Sequence, residues 1–164
     1  MKNMERELYY FVLGDALSCW RLFGKKSLLV MKRTSCHIVA ANFVAEKCGV
    51  VLPGQVEVIS FDMLQMDKVY ALQKRFAPGL SLSDAASLFI AKYENVTLIA
   101  DDGLLRRCAA GMQIKTIDCK TFAAHVAQLE AEGAPPLRLA DYRMKKIEQK
   151  ENNYENHKPI DNRR

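Results

Sequence analysis

Hydrophobic residues in this chain fall in short blocks that switch between strand and helix periods. Residues 9–13 (YYFVL) form an aromatic and branched run that ends at Gly14-Asp15 and predicts a strand. A helix is predicted over 17–31, with Trp20, Phe23, Leu28 and Leu29 as apolar positions. A strand at 37–40 then leads into a helix at 42–48. After the Pro53-Gly54 turn, residues 56–60 (VEVIS) predict another strand. Leu64, Val69 and Leu72 have helical spacing within 62–76, and Pro78-Gly79 breaks that run. Ser81 and Ser83 offer caps for a helix reaching about residue 93, and 96–100 (VTLIA) has the composition of a buried strand. A helix at 104–110 that Gly111 stops, a short strand at 114–117 and a last helix at 121–132 complete the series.

Strands alternating with helices indicate an α/β fold, with a mostly parallel central sheet and helices on both faces in three α/β/α layers. The expected folded domain covers residues 1–140. From 141 to 164 the chain turns polar and charged, which predicts a disordered or partly helical tail.

Composition narrows the class only a little. Hydrophobic residues make up 49% and charged residues 26%, as in ordinary globular proteins, and the formal net charge of +5 is compatible with a nucleic-acid partner. The five cysteines lack C-x-x-C spacing, which argues against a zinc site or disulfide framework and for a reducing compartment. No apolar run is long enough for a bilayer, and LYYFVLG is too short for a signal-peptide core. The expectation is therefore a cytoplasmic protein with no membrane partner.

Candidate chemistry lies in the acids. In an open parallel sheet, ligands sit beyond the carboxyl ends of the strands. Asp15 follows one such end, and Asp101 and Asp102 follow another. Asp84 shares a helix face with Leu88 and Ala91, so it should point partly inward, and Glu46 lies in the apolar context NFVAEKC. Each acid also has an ordinary structural role open to it. Ser81-x-x-Asp84 has capping-box spacing, Asp102 and Asp15 could cap the helices that follow them, and Glu46 could face solvent. Taken jointly, carboxylates gathered at one edge repel one another unless a cation compensates. Oxygen ligands without nearby Cys or His select a hard ion, Mg²⁺ or Mn²⁺, which suits phosphodiester hydrolysis. Arg106 and Arg107, with Lys25 and Lys26, are candidate contacts for nucleic-acid phosphates.

The ordered acids Asp15, Glu46, Asp84 and Asp101/Asp102 resemble those of the PIN-domain nucleases, which include the toxin ribonucleases of bacterial toxin–antitoxin pairs. The specific part is 79–117, GLSLSDAASLFIAKYENVTLIADDGLLRRCAAGMQIKTI. It is similar to the family's L-S-x-x-D-A, helix, strand ending in acid, then D-x-x-L-R-x-x-A and a Gly before the last strand. Asp102, Leu105, Arg106, Ala109 and Gly111 fill those later places. FVLGDALSC through HIVAANFVAEK resembles the family's first half more loosely.

The resemblance implies a Mg²⁺- or Mn²⁺-dependent endoribonuclease. Asp15, Glu46, Asp84 and Asp102 would be catalytic and hold the metal, with Asp101 sharing that role or shaping the turn. It further implies an RNA substrate, an antitoxin protein partner and a homodimer. Two positions depart from the pattern: Ala16 and Ala100 stand where many members have Thr or Ser, and Thr. These departures motivate an alternative, a catalytically degenerate module that binds RNA or protein.

Two other resemblances fail on spacing. TLIADDGLLRRCAAGM is similar to the start of a phosphate-accepting signalling receiver, but only residues 137–141 could then supply its acceptor strand. Gly24-Lys25-Lys26-Ser27 faintly resembles a phosphate-binding loop, but Cys19 stands where the upstream glycine belongs.

Overall fold

The computed structural model describes residues 9–24, 36–50, 52, 56–76 and 78–132. Along the chain come β1 (Tyr9–Leu13), α1 (Ala16–Phe23), β2 (Cys36–Ala41), α2 (Asn42–Cys48) and β3 (Val56–Ile59). They are followed by α3 (Met63–Arg75), α4 (Leu82–Glu94), β4 (Thr97–Ile99), α5 (Gly103–Gly111), β5 (Thr116–Ile117) and α6 (Cys119–Ala131). The five strands form one sheet in the order β3-β2-β1-β4-β5, and every pairing is parallel. With helices packed on it, the sheet forms the middle layer of an α/β/α architecture.

The order of strands matters for function. The chain starts in the middle of the sheet, builds outward through β2 and β3, then returns to lay β4 against the other side of β1. This makes the β1–β4 boundary the topological switch point, where an open parallel sheet leaves a crevice at its carboxyl edge. Register brings Leu13 beside both Ala40 and Ile99, so β1, β2 and β4 end at nearly the same height.

Burial explains why these segments are strands. Val12, Leu13, Val39, Ala40, Leu98 and Ile99 are fully buried, as strands covered on both faces require. Helix α4 packs across β1, β2 and β4. It presents Ala85, Ala86, Ser87 and Ala91, small residues that let its backbone lie close to the sheet. The Ser87 hydroxyl donates to Leu13 O at 3.3 Å, which fixes the start of α4 over the end of β1.

Several expectations need correction. Trp20 is 47% exposed and Leu64 is 76% exposed, although both were expected on apolar faces. The inner side of α1 is made of Ser18, Cys19 and Leu22, because the elements it meets are α2 and α6 and not a broad sheet surface. Gly111 does not stop α5 but is its last helical residue; the reversal comes at Gln113, whose φ of +59° is left-handed. The helix expected over 17–31 ends earlier, at Phe23, where the Gly24 N–H closes the last turn on Trp20 O; the other predicted elements appear within two residues of their expected ends. Lys25, Lys26, Leu28, Leu29 and the boundary at residue 140 with its charged tail lie outside the described residues. Among the described residues, no helix is long and apolar enough to cross a membrane.

Candidate active site

Asp15 sits at the switch point, directly after Gly14, and its carboxylate is buried. Oδ1 accepts the Ser18 N–H at 2.6 Å, which caps α1. Oδ2 accepts the N–H groups of Asp101 at 3.2 Å and Asp102 at 3.4 Å. One side chain thus joins the end of β1 to the end of β4. Backbone N–H groups thus satisfy both oxygens of this buried side chain.

The two aspartates after β4 diverge. Asp101 turns inward: Oδ1 accepts the Cys119 N–H at 3.1 Å, and Oδ2 lies 3.2 Å from the Arg21 guanidinium. Its own N–H also lies 3.1 Å from the Ser18 hydroxyl. Asp102 turns outward and caps α5, with Oδ1 accepting the Leu105 N–H at 2.8 Å. These contacts let Asp101 shape the turn between β4 and α5.

Asp84 and Ser81 form a reciprocal capping box on α4. The Asp84 N–H donates to Ser81 Oγ at 3.1 Å, and Asp84 Oδ2 accepts the Ser81 N–H at 3.4 Å. Burial pushes the Asp84 carboxyl above its ordinary value; the hydrogen bonds from Ser81 oppose that, and the charges of Asp102 and Asp15 add to it. Asp84, Asp102 and Asp15 therefore lie within one another's electrostatic field.

Glu46 is exposed on α2. Arg106 and Arg107 are exposed on α5, beside the capping Asp102.

Three residues at this edge escaped the sequence reading. Ser18 and Arg21 belong to the Asp15–Asp101 network, and Asp118 follows β5 as Asp101 follows β4. Asp118 accepts the Thr121 N–H at 2.7 Å, which holds its carboxyl below the ordinary range, with a smaller contribution from Arg106. Strand-end position could have flagged Asp118. Cys119 lies beneath Asp101, and burial together with the Asp101 hydrogen bond pushes its thiol up to about 12, far from a reactive thiolate.

The donor set can be tested against a hard divalent ion. Asp15, Asp84 and Asp102 offer only oxygen, and each hydrogen bond given above leaves lone pairs free on Asp84 and Asp102. A cation among these acids would also offset the burial, and the smaller repulsion from Asp102 and Asp15, that raise Asp84. The donors thus fit such an ion in kind, although among the described residues no group of three or more acids, histidines or cysteines is drawn together into a formed cage. A separate groove of about 750 Å³, lined by Phe11, Thr116 and His125 among others, contains none of the candidate acids.

Fold and site together define a class: a parallel α/β/α protein with a carboxylate group at its topological switch point. The chain matches no protein-family model and no curated protein. Among solved structures it is similar to PAE2754 from Pyrobaculum aerophilum, with a TM-score of 0.51 and 17% sequence identity. The match covers 74% of this chain and 98% of that chain, and at this identity it shows the fold alone.

Proposed function

We propose that this chain is a Mg²⁺- or Mn²⁺-dependent endoribonuclease of the PIN type, acting in the cytoplasm as the toxin of a toxin–antitoxin pair. One observation carries the reading. Asp15, Asp84 and Asp102 come from three separate elements to the switch point, close enough for Asp84 to respond to the other two. The RNA substrate, the antitoxin partner and a homodimeric state follow from the same family resemblance.

In this reading each residue has a defined task. Asp84 and Asp102 hold the ion with their free oxygens, and Asp15 fixes the separation of the two strand ends while adding negative charge. A bound Mg²⁺ or Mn²⁺ supplies Lewis-acid chemistry to a phosphodiester and to an attacking water. Exposed Arg106 and Arg107 face the approaching polyanion from α5.

The binding-only alternative has an observation of its own. Asp15, Asp84 and Asp102 all serve as helix caps, so each has a structural reason to be present without turnover. Ala100, fully buried at the end of β4, also offers no hydroxyl to the acids. Incubation with labelled single-stranded RNA and Mn²⁺ separates the two readings. The nuclease reading expects cleavage by the parent protein and a loss of at least a hundredfold in Asp84→Asn, since the remaining acids would hold the ion poorly. Equal cleavage by both proteins, or none by either, removes the catalytic claim.

A further inference from the structure

We propose that Arg21 grips a backbone phosphate of the RNA at this site and that Asp101 is the residue that positions it, an inference that rests on the ribonuclease reading above. The starting point is an imbalance in one ion pair. The Asp101 side chain is only 6% exposed, and its Oδ2 is a buried oxygen with no hydrogen bond. What compensates it is the Arg21 guanidinium 3.2 Å away. A buried carboxylate needs such a partner, so Asp101 keeps Arg21 at this edge. Arg21 is not held to the same degree, because its own side chain is 51% exposed.

A guanidinium has five N–H donors arranged as a rigid fork. The contact to Asp101 is through Nη1, and the half-exposed guanidinium has further donors on its other nitrogens. Such a fork, tethered at one end and open to solvent, matches two oxygens of a phosphate.

Position supports the same role. Arg21 lies on α1 six residues after Asp15, about 9 Å along the helix axis. Asp101 donates its N–H to Asp15 Oδ2 while its carboxylate holds Arg21. One residue therefore sets the spacing between a cation at the rim and the acids at the floor. A site lined by carboxylates repels a polyanion, and a tethered cation beside it offsets that repulsion. Arg106 and Arg107 have no buried acid holding them among the described residues, so they add charge without a fixed direction.

The experiment measures binding without turnover. The full chain, in EDTA, is titrated with a labelled 2′-O-methyl RNA single strand across a salt series. Arg21→Gln alone strands a buried carboxylate, so the deciding arm is the double variant Arg21→Gln/Asp101→Asn, which leaves no charge unpaired. It should melt near the parent temperature, bind about tenfold more weakly, and show a salt slope shallower by about 0.7, the signature of one lost phosphate contact. Arg21→Lys should keep the parent slope, since the cation remains, and lose severalfold in affinity with the fork. A folded double variant with the parent affinity and slope overturns the Arg21 assignment and leaves the ribonuclease reading intact. A parent protein that binds no RNA in EDTA likewise overturns the Arg21 assignment, while the ribonuclease reading stands or falls on the Mn²⁺ cleavage assay.

Discussion

At Asp84 two effects act on one carboxyl. Ser81 hydrogen-bonds its charged form, while burial, aided by Asp102 and Asp15, favours the neutral one and prevails, so the group sits above its ordinary value of 3.8. A carboxyl raised in the folded state makes folding weaker as pH rises. Below the ordinary value both folded and unfolded chains carry the proton. Above it the unfolded chain ionises first, and stability falls until the pH passes the raised folded value. Asn at this position keeps an acceptor for the Ser81 N–H and removes the charge. In metal-free buffer at pH 7, Asp84→Asn should therefore melt about 1–3 °C above the parent, a modest gain because solvent screens a part-exposed group. The two melting curves should converge toward pH 4, and equal melting at pH 7 would show that the Asp84 charge carries no net cost in the folded chain. The same scale shows what the sequence concealed. Asp15, Asp84 and Asp102 were legible from strand ends and helix faces. The Arg21–Asp101 pair was not, since 80 residues separate its members and only the return of β4 to the side of β1 brings them together.

The junction of β1 and β4 is where elements set the site. Gly14 donates its N–H to Ile99 O at 2.7 Å, and a Cβ at this position would lie 2.5 Å from that same oxygen. Backbone cannot rotate away as a side chain tip can. Gly14→Ala should therefore cost about 1–3 kcal/mol, read as a lower urea midpoint, by forcing the two strand ends apart. Gly111→Ala is the matched control: nothing lies within 4 Å of its Cβ, and as the last residue of α5 it should be neutral or slightly stabilising. Losses of similar size in both variants would mean that the β1–β4 contact is no special constraint. Element types were largely legible because the buried strands are short and apolar, and the helices between them carry their own breakers. Finer facts were not. Trp20 is exposed while Ser18 is buried, because α1 turns Ser18, Cys19 and Leu22 toward α2 and α6, and the Ser18 hydroxyl there accepts the Asp101 N–H. The end of α5 was set by Gln113 in the left-handed region, a residue with no composition signal for it.

For the molecule as a whole, the acids make an unusual contrast with the net charge of +5. A basic protein draws a polyanion toward it, and a cluster of carboxylates in its crevice then repels that ligand unless a cation intervenes. Anything that binds the folded chain alone stabilises it by mass action, about 2.7 kcal/mol at a hundredfold excess over its dissociation constant. If Asp84 and Asp102 hold Mn²⁺ beside the charge of Asp15, titrating the ion should raise the melting temperature of the parent by several degrees and level off as the site fills. Asp84→Asn and Asp102→Asn should lose most of that rise. The order of stabilities then becomes diagnostic. Without metal, Asp84→Asn is the more stable protein because it lacks the strained charge. With saturating Mn²⁺ the parent should overtake it, because the same charge now binds the ion. A structural cap could not produce that crossing, since its contribution does not depend on metal. Parallel melting curves at every Mn²⁺ concentration would leave these carboxylates as caps and the nuclease reading without its metal.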